Sequence, residues 1–116
     1  ETYLLLAEAY LRQNMPDKAA DAVNEVRRRA KVADVSDDEM TMDYLLDERI
    51  RELYGEESRR FTLVRTGKLI ERVKKYNPEA RDLIQDFHVL WPIPQAIRDA
   101  NVGNFPQNPG YEGYEG

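Results

Sequence analysis

The chain has 116 residues, 41% hydrophobic and 34% charged, and 17 basic against 22 acidic side chains leave a formal net charge of −5. That composition suits one domain with a core inside a strongly solvated exterior, and the acidic balance argues against a general nucleic-acid binder. No apolar run reaches the roughly 18 residues a membrane-spanning helix needs, and zero cysteines exclude disulfides, zinc fingers and thiol catalysis within these residues. The first residues carry Glu1, Glu8 and Arg12 in a helical pattern, which is no signal peptide. The chain opens on Glu1 rather than Met and starts inside that pattern. The expectation is a fragment whose targeting information lies upstream.

Tyr3, Leu6, Ala7, Tyr10 and Leu11 fall at i, i+3, i+4, i+7 and i+8, which predicts a first helix with this stripe inward. Asn14 suits a left-handed terminus and Pro16 the first turn of a second helix, roughly 16–31, with Ala19, Val23, Val26 and Ala30 on one face. Asp17 and Asp21 near its start and Arg27, Arg28, Arg29 and Lys31 near its end match the helix dipole, which explains the arginine run without a phosphate ligand. Small residues at Ala7 and Ala19 let the two helices approach as a hairpin whose spacing resembles a tetratricopeptide repeat. A single such hairpin cannot bury both of its faces.

An acidic connection follows at 32–41, where either Ser36 with Glu39 or Thr41 can cap the next helix. That third helix, about 41–54, is expected to bury Met42, Leu45, Leu46, Ile50 and Leu53, and Gly55 interrupts it. Segment 57–66 offers Phe61, Leu63 and Val64 and ends at Gly67. Leu69, Ile70 and Val73 predict a short helix to Tyr76, broken at Asn77-Pro78, with one more helical turn over 80–84. No long alternating strand occurs, so the chain is mainly α.

The last quarter, 88–111, differs in kind. Pro92 and Pro94 remove two backbone donors and disfavour helix in the residues before them, so Trp91-Pro92-Ile93-Pro94 is extended and stiff. A short helix fits 95–100, then Asn101-Val102-Gly103-Asn104 and Asn108-Pro109-Gly110-Tyr111 read as turns. The whole is an irregular strap laid over the helices, with Trp91 expected as its buried apolar anchor.

Candidate chemistry is sparse. Glu48 and Glu52 share a helix face and could form an acid/base pair. Arg49 near Glu52, with Arg59 and Arg60 near Glu56, turns them into ion pairs instead, which lowers a carboxylate pKa in the wrong direction for a general acid. His88 is the lone histidine and cannot build a typical zinc site, so it is read as structural. No nucleophile elbow or phosphate loop occurs. No catalytic, cofactor-binding or metal-binding residue is assigned, and no cofactor is expected. Tyr111 and Tyr114 are the aromatics with the most exposed context.

Glu48-Arg49, Glu52-Leu53, Glu56, Arg59, Leu63-Val64-Arg65 and Gly67, then Leu90-Trp91-Pro92-Ile93-Pro94, Ile97, Asn101 and Gln107-Asn108-Pro109-Gly110-Tyr111, together resemble the carboxyl-terminal region of the SusD/RagB family. Leu5-Leu6-Ala7-Glu8-Ala9-Tyr10 and Val26-Arg27 with Arg29-Ala30 fit that family's last repeat hairpin. Thr62, Gly55 and Glu57 depart from the usual pattern, where an acidic, an aromatic and a small residue are common. The resemblance implies residues 1–116 as one domain at the end of a longer SusD-like protein. It implies a lipid-anchored outer-membrane protein of Gram-negative bacteria, with the anchor outside this fragment, that binds glycan, or in some members peptide. Its implied partners are that glycan and a TonB-dependent SusC-like transporter, and it implies no enzymatic activity. No glycan-contacting residue carries over from the family onto this chain. A helical-repeat adaptor for protein partners is the alternative reading, and a glycosidase is the weakest, disfavoured by the arginines beside its carboxylates.

Overall fold

The computed structural model describes residues 1–114 and contains helices and turns, with no strand among the described residues. The helices are α1 (Thr2–Arg12), α2 (Pro16–Arg29), α3 (Met42–Glu52), α4 (Arg59–Arg65), α5 (Leu69–Tyr76) and α6 (Gln95–Ala100), with a 3-10 turn at Asp86–Val89. Tertiary contacts divide the chain into two compact units, Glu1–Ser58 and Arg59–Gly116. The fold is mainly α, as the periodicities predict, and each unit is held together by different physics.

The first unit is a helical hairpin with α3 packed beside it. Asn14 takes φ 58° and Met15 donates back to the Tyr10 carbonyl, which closes α1, and Pro16 opens α2 where a missing N–H costs nothing. The hairpin packs tightly because Ala7, Ala19, Ala20 and Ala22 are buried between Leu4, Val23 and Val26. Val35, Met40, Leu45 and Leu53 complete this core. The buried residues of α1 are Leu4, Ala7 and the Arg12-paired Glu8, with Tyr10 and Leu11 half-buried against the core, so the expected stripe holds at Ala7, Tyr10 and Leu11 and fails at Tyr3 and Leu6. Tyr3 is 50% exposed and Leu6 is exposed too; with Tyr10 they border an open hollow beside Lys18, Asp21, Ala22 and Glu25. Ile50, also expected inside, faces out.

The connection between α2 and α3 has no regular structure, so its backbone needs other partners. Buried Asn24 supplies them. Its Oδ1 accepts from the Val35 N–H at 2.8 Å and its Nδ2 donates to the Val35 carbonyl at 3.0 Å. Beyond it Thr41, not Ser36, caps α3 by accepting from the Tyr44 N–H. Ser36 and Glu39 form a turn of their own, with the Ser36 hydroxyl and N–H both donating to Glu39.

In the second unit, Leu63 and Leu69 are the buried apolar side chains among the described residues, alongside the polar Thr62, Arg72 and Gln107. Phe61, expected inside, is 66% exposed, because α4 turns Thr62 and Leu63 inward instead. Gly67 at φ 71° ends α4, and the Asn77 side chain caps the turns before Ile84 by accepting from the Glu79 and Ala80 N–H groups. So small a core leaves hydrogen bonds to hold the rest.

Two outcomes test the first unit. Asn24→Ala strips both partners from the buried Val35 backbone and should cost about 1–3 kcal/mol, read as a lower urea midpoint at unchanged slope. The hydrogen bonds from Ser36 hold the Glu39 carboxyl below its ordinary pKa. A folded-state value below the unfolded one means that this stabilisation exists above the usual carboxylate range and vanishes as pH falls through the depressed value. Ser36→Ala should raise the Glu39 midpoint toward the ordinary value in an NMR titration, and an unmoved midpoint would contradict the assignment.

Candidate functional site

The strap sets the geometry of the second unit, and it is fastened by polar side chains rather than by its tryptophan. Between Pro92 and Pro94, Ile93 has the one backbone N–H, and it donates to Gln107 Oε1 at 2.6 Å. Gln107 Nε2 returns a hydrogen bond to the Ile93 carbonyl at 2.9 Å, and Gln107 is itself buried. Asn108 Nδ2 donates to the Trp91 carbonyl at 2.7 Å and the Tyr111 hydroxyl to the Leu90 carbonyl at 2.9 Å. Three side chains of Gln107-Asn108-Pro109-Gly110-Tyr111 thus read the backbone of Leu90-Trp91-Pro92-Ile93. Arg98 of α6 adds donations to the Phe105 and Gly113 carbonyls.

The proline-glycine turn is fitted against the 3-10 turn. Gly110 takes φ 85°, and a Cβ there would lie 2.2 Å from the Phe87 ring. That ring meets Tyr111 edge-on, 4.9 Å between centroids. Tyr111 is therefore half-buried and engaged, against the expectation of an exposed aromatic, while Tyr114 is exposed; Glu115 and Gly116 lie outside the described residues. His88 is structural in its contacts: its Nδ1 accepts from the Gln85 N–H at 2.8 Å, and its carbonyl accepts from Arg60.

The expected anchor is the main correction. Trp91 is 62% exposed, and the Arg60 guanidinium lies over its ring, 4.5 Å from the centroid. Beside it is an open hollow of about 490 Å³, walled by Leu69, Val73, Leu83, Ile84 and Pro92. Arg60, Asn77, His88 and Tyr111 also line it, with no carboxylate. Asn77 Oδ1 is committed to the backbone, which leaves its Nδ2 as a donor facing no bonded partner among the described residues. Because His88 Nδ1 accepts, neutral His88 carries its proton on Nε2. Apart from the Tyr111 oxygen, the uncommitted side-chain polar atoms around the hollow are donors, and Trp91 gives it a flat apolar surface. Such a place can hold a ligand. It has no pair of groups for proton transfer.

The paired carboxylates of α3, Glu48 and Glu52, are taken up elsewhere, each with a partner distant in sequence. Glu48 accepts from Arg27 at 2.8 Å and from Arg51 at 2.6 Å. That hydrogen bond and charge raise the Arg51 pKa. Glu52 pairs with Arg29, and buried Arg49 pairs with Glu57 and Glu1 instead of Glu52. Arg28 pairs with Asp34. The arginine run that ends α2 thus grips the connection and α3, and the expected local partners of Arg49 are replaced by distant ones.

A family model described as the SusD family matches residues 1–111. The chain belongs to the SusD family. No curated protein and no solved structure is a match for it. The family implies glycan binding and nutrient uptake at the cell surface, and its members are binding proteins rather than enzymes. In this SusD-family chain, Leu90-Trp91-Pro92-Ile93-Pro94 and Gln107-Asn108-Pro109-Gly110-Tyr111 are the two halves of one clasp.

Two substitutions separate the clasp from the hollow. Gly110→Ala forces both a left-handed backbone and a clash with Phe87, and should cost about 1–3 kcal/mol in urea unfolding. Trp91→Ala removes an exposed ring and one cation–π contact, so it should cost about 0.5–1 kcal/mol, where a buried anchor would cost about 3–5.

Proposed function

We propose that this chain belongs to a glycan-binding protein held at the outer-membrane surface by a lipid anchor outside these residues, and that it passes its ligand to a TonB-dependent SusC-like transporter. The observation that carries the reading is the family match across residues 1–111. Two structural facts support binding over catalysis. Glu48 and Glu52, the candidate acid/base pair of α3, are neutralised in ion pairs with Arg27, Arg29 and Arg51. The open hollow of the second unit offers an aromatic surface and hydrogen-bond donors but no acid/base pair. On this reading the hairpin of α1 and α2 is scaffold, and these residues act as the carboxyl-terminal region of a longer SusD-like protein.

The open face of α1, with Tyr3, Leu6 and Tyr10, favours a second reading as a helical-repeat adaptor for a protein partner. One experiment separates the two. The tagged full-length protein, recovered from gently solubilised membranes, is expected to bring down a large outer-membrane barrel in near-equal amount. Recovery of soluble proteins alone would overturn the transporter reading and favour the adaptor.

A further inference from the structure

We propose that the hollow beside Trp91 is a subsite for an acidic sugar, a hexuronic acid residue within a glycan; this rests on the glycan-binding reading above. The strap does not need the indole, since its backbone is fastened by Gln107, Asn108 and Tyr111. The ring is nonetheless displayed, 62% exposed, at the rim of a concave surface. The Arg60 guanidinium lies 4.5 Å over the ring, and at 62% exposure the indole still has surface to offer the C–H face of a pyranose. Leu83 and Val73 add apolar lining to the hollow.

Polar complementarity chooses the class of sugar. In a chain of net charge −5, the hollow has no carboxylate in its lining and one permanent cation, Arg60. Apart from Tyr111 Oη, its uncommitted side-chain polar atoms donate: Asn77 Nδ2, His88 Nε2–H and the Arg60 guanidinium, which spends one Nη2 bond on the His88 carbonyl. Tyr111 Oη, already donating to Leu90, keeps its lone pairs for a sugar hydroxyl. A neutral sugar would need donors and acceptors in balance, whereas a ring bearing a carboxylate matches this donor-rich rim. The guanidinium meets that carboxylate through charge-assisted hydrogen bonds, strengthened by the apolar wall.

The test is calorimetric titration of the full-length protein with galacturonan, glucuronan and mannuronan oligomers, and with the same oligomers after carboxyl reduction. At least one acidic oligomer should bind, its reduced counterpart should bind about tenfold or more weakly, and added salt should weaken the acid alone. Trp91→Ala and Arg60→Gln should each lose about tenfold or more, and Arg60→Lys should recover part by restoring the charge without the planar fork. A Trp91→Ala protein whose melting temperature falls only by the small amount expected of an exposed ring, while binding is lost, marks contact rather than folding. Should Arg60→Gln fail to fold, Trp91→Ala and the carboxyl-reduced oligomers decide the matter. Equal binding of acidic and reduced oligomers, or undiminished binding by Trp91→Ala, overturns the subsite and leaves the glycan reading standing. Binding of no glycan, acidic or neutral, overturns both.

Discussion

A buried side-chain amide that pairs with both backbone groups of one residue is the interaction on which both units depend. Asn24 does this for Val35 and Gln107 for Ile93. Each serves an extended segment that has no strand beside it. A primary amide carries a donor and an acceptor in one plane, so it offers what the edge of a neighbouring strand would offer. A buried backbone N–H left unpaired costs more than a typical hydrogen bond contributes, so these two contacts decide where the irregular segments lie. In the first unit the result is a connection that caps the core beside Val35 and Met40. In the second it is the position of the proline segment, and through it of Trp91 and the hollow.

The units otherwise cohere by different means, and the difference bears on function. The first has a contiguous apolar core stapled by arginine pairs from α2 to α3. The second buries little apolar surface and relies on side chains that bond to backbone carbonyls. Its apolar groups are left on display: Phe61, Leu83, Leu90, Trp91 and Ile97 are all exposed. A displayed aromatic on a polar-fastened loop is what a binding surface requires, because ligand contact then competes with none of the contacts that hold the loop. The ion pairs of the first unit point the same way by removing free carboxylates from the helix that looked most like a catalytic one.

The helices were legible because their ends are chemically marked. Asn14 with Pro16, Gly67, Asn77 with Pro78, and Pro94 before Gln95 each fix a boundary through φ or a missing donor. The facing of α1 was legible only in part. Leu4, Leu5 and Leu6 are consecutive, so more than one helical stripe is apolar, and periodicity cannot say that Leu4, rather than Tyr3 and Leu6, joins Ala7, Tyr10 and Leu11 at the core. Trp91 was misread for a related reason, since hydrophobicity states a cost of exposure without saying whether a function meets it. Asn24 was not singled out, and Gln107 entered only as part of a family motif without a role, because amides are read as surface residues. A signal for Gln107 did exist: Ile93 has the one backbone donor between two prolines, which demands an acceptor from elsewhere in the chain. The long-range pairs of Arg29 and Arg49 had no such signal, because Glu25 and Glu52 offered each a nearby partner; Arg27 has no carboxylate one helical turn away, and spacing alone could not name Glu48 as its partner.

Amide hydrogen exchange of the full-length protein, resolved at Ile93, tests the central claim most directly. Ile93 lies outside every helix, between two prolines, so secondary structure gives it no protection. If the Gln107 clasp orders the strap, the Ile93 amide exchanges far more slowly than that of Val102 at the exposed tip beyond α6, and Gln107→Ala abolishes the difference while the amides of α1 and α2 keep theirs. Equal, fast exchange at Ile93 and Val102 in the unmodified protein would contradict the account, and with it the fixed placement of Trp91 on which the proposed sugar subsite stands.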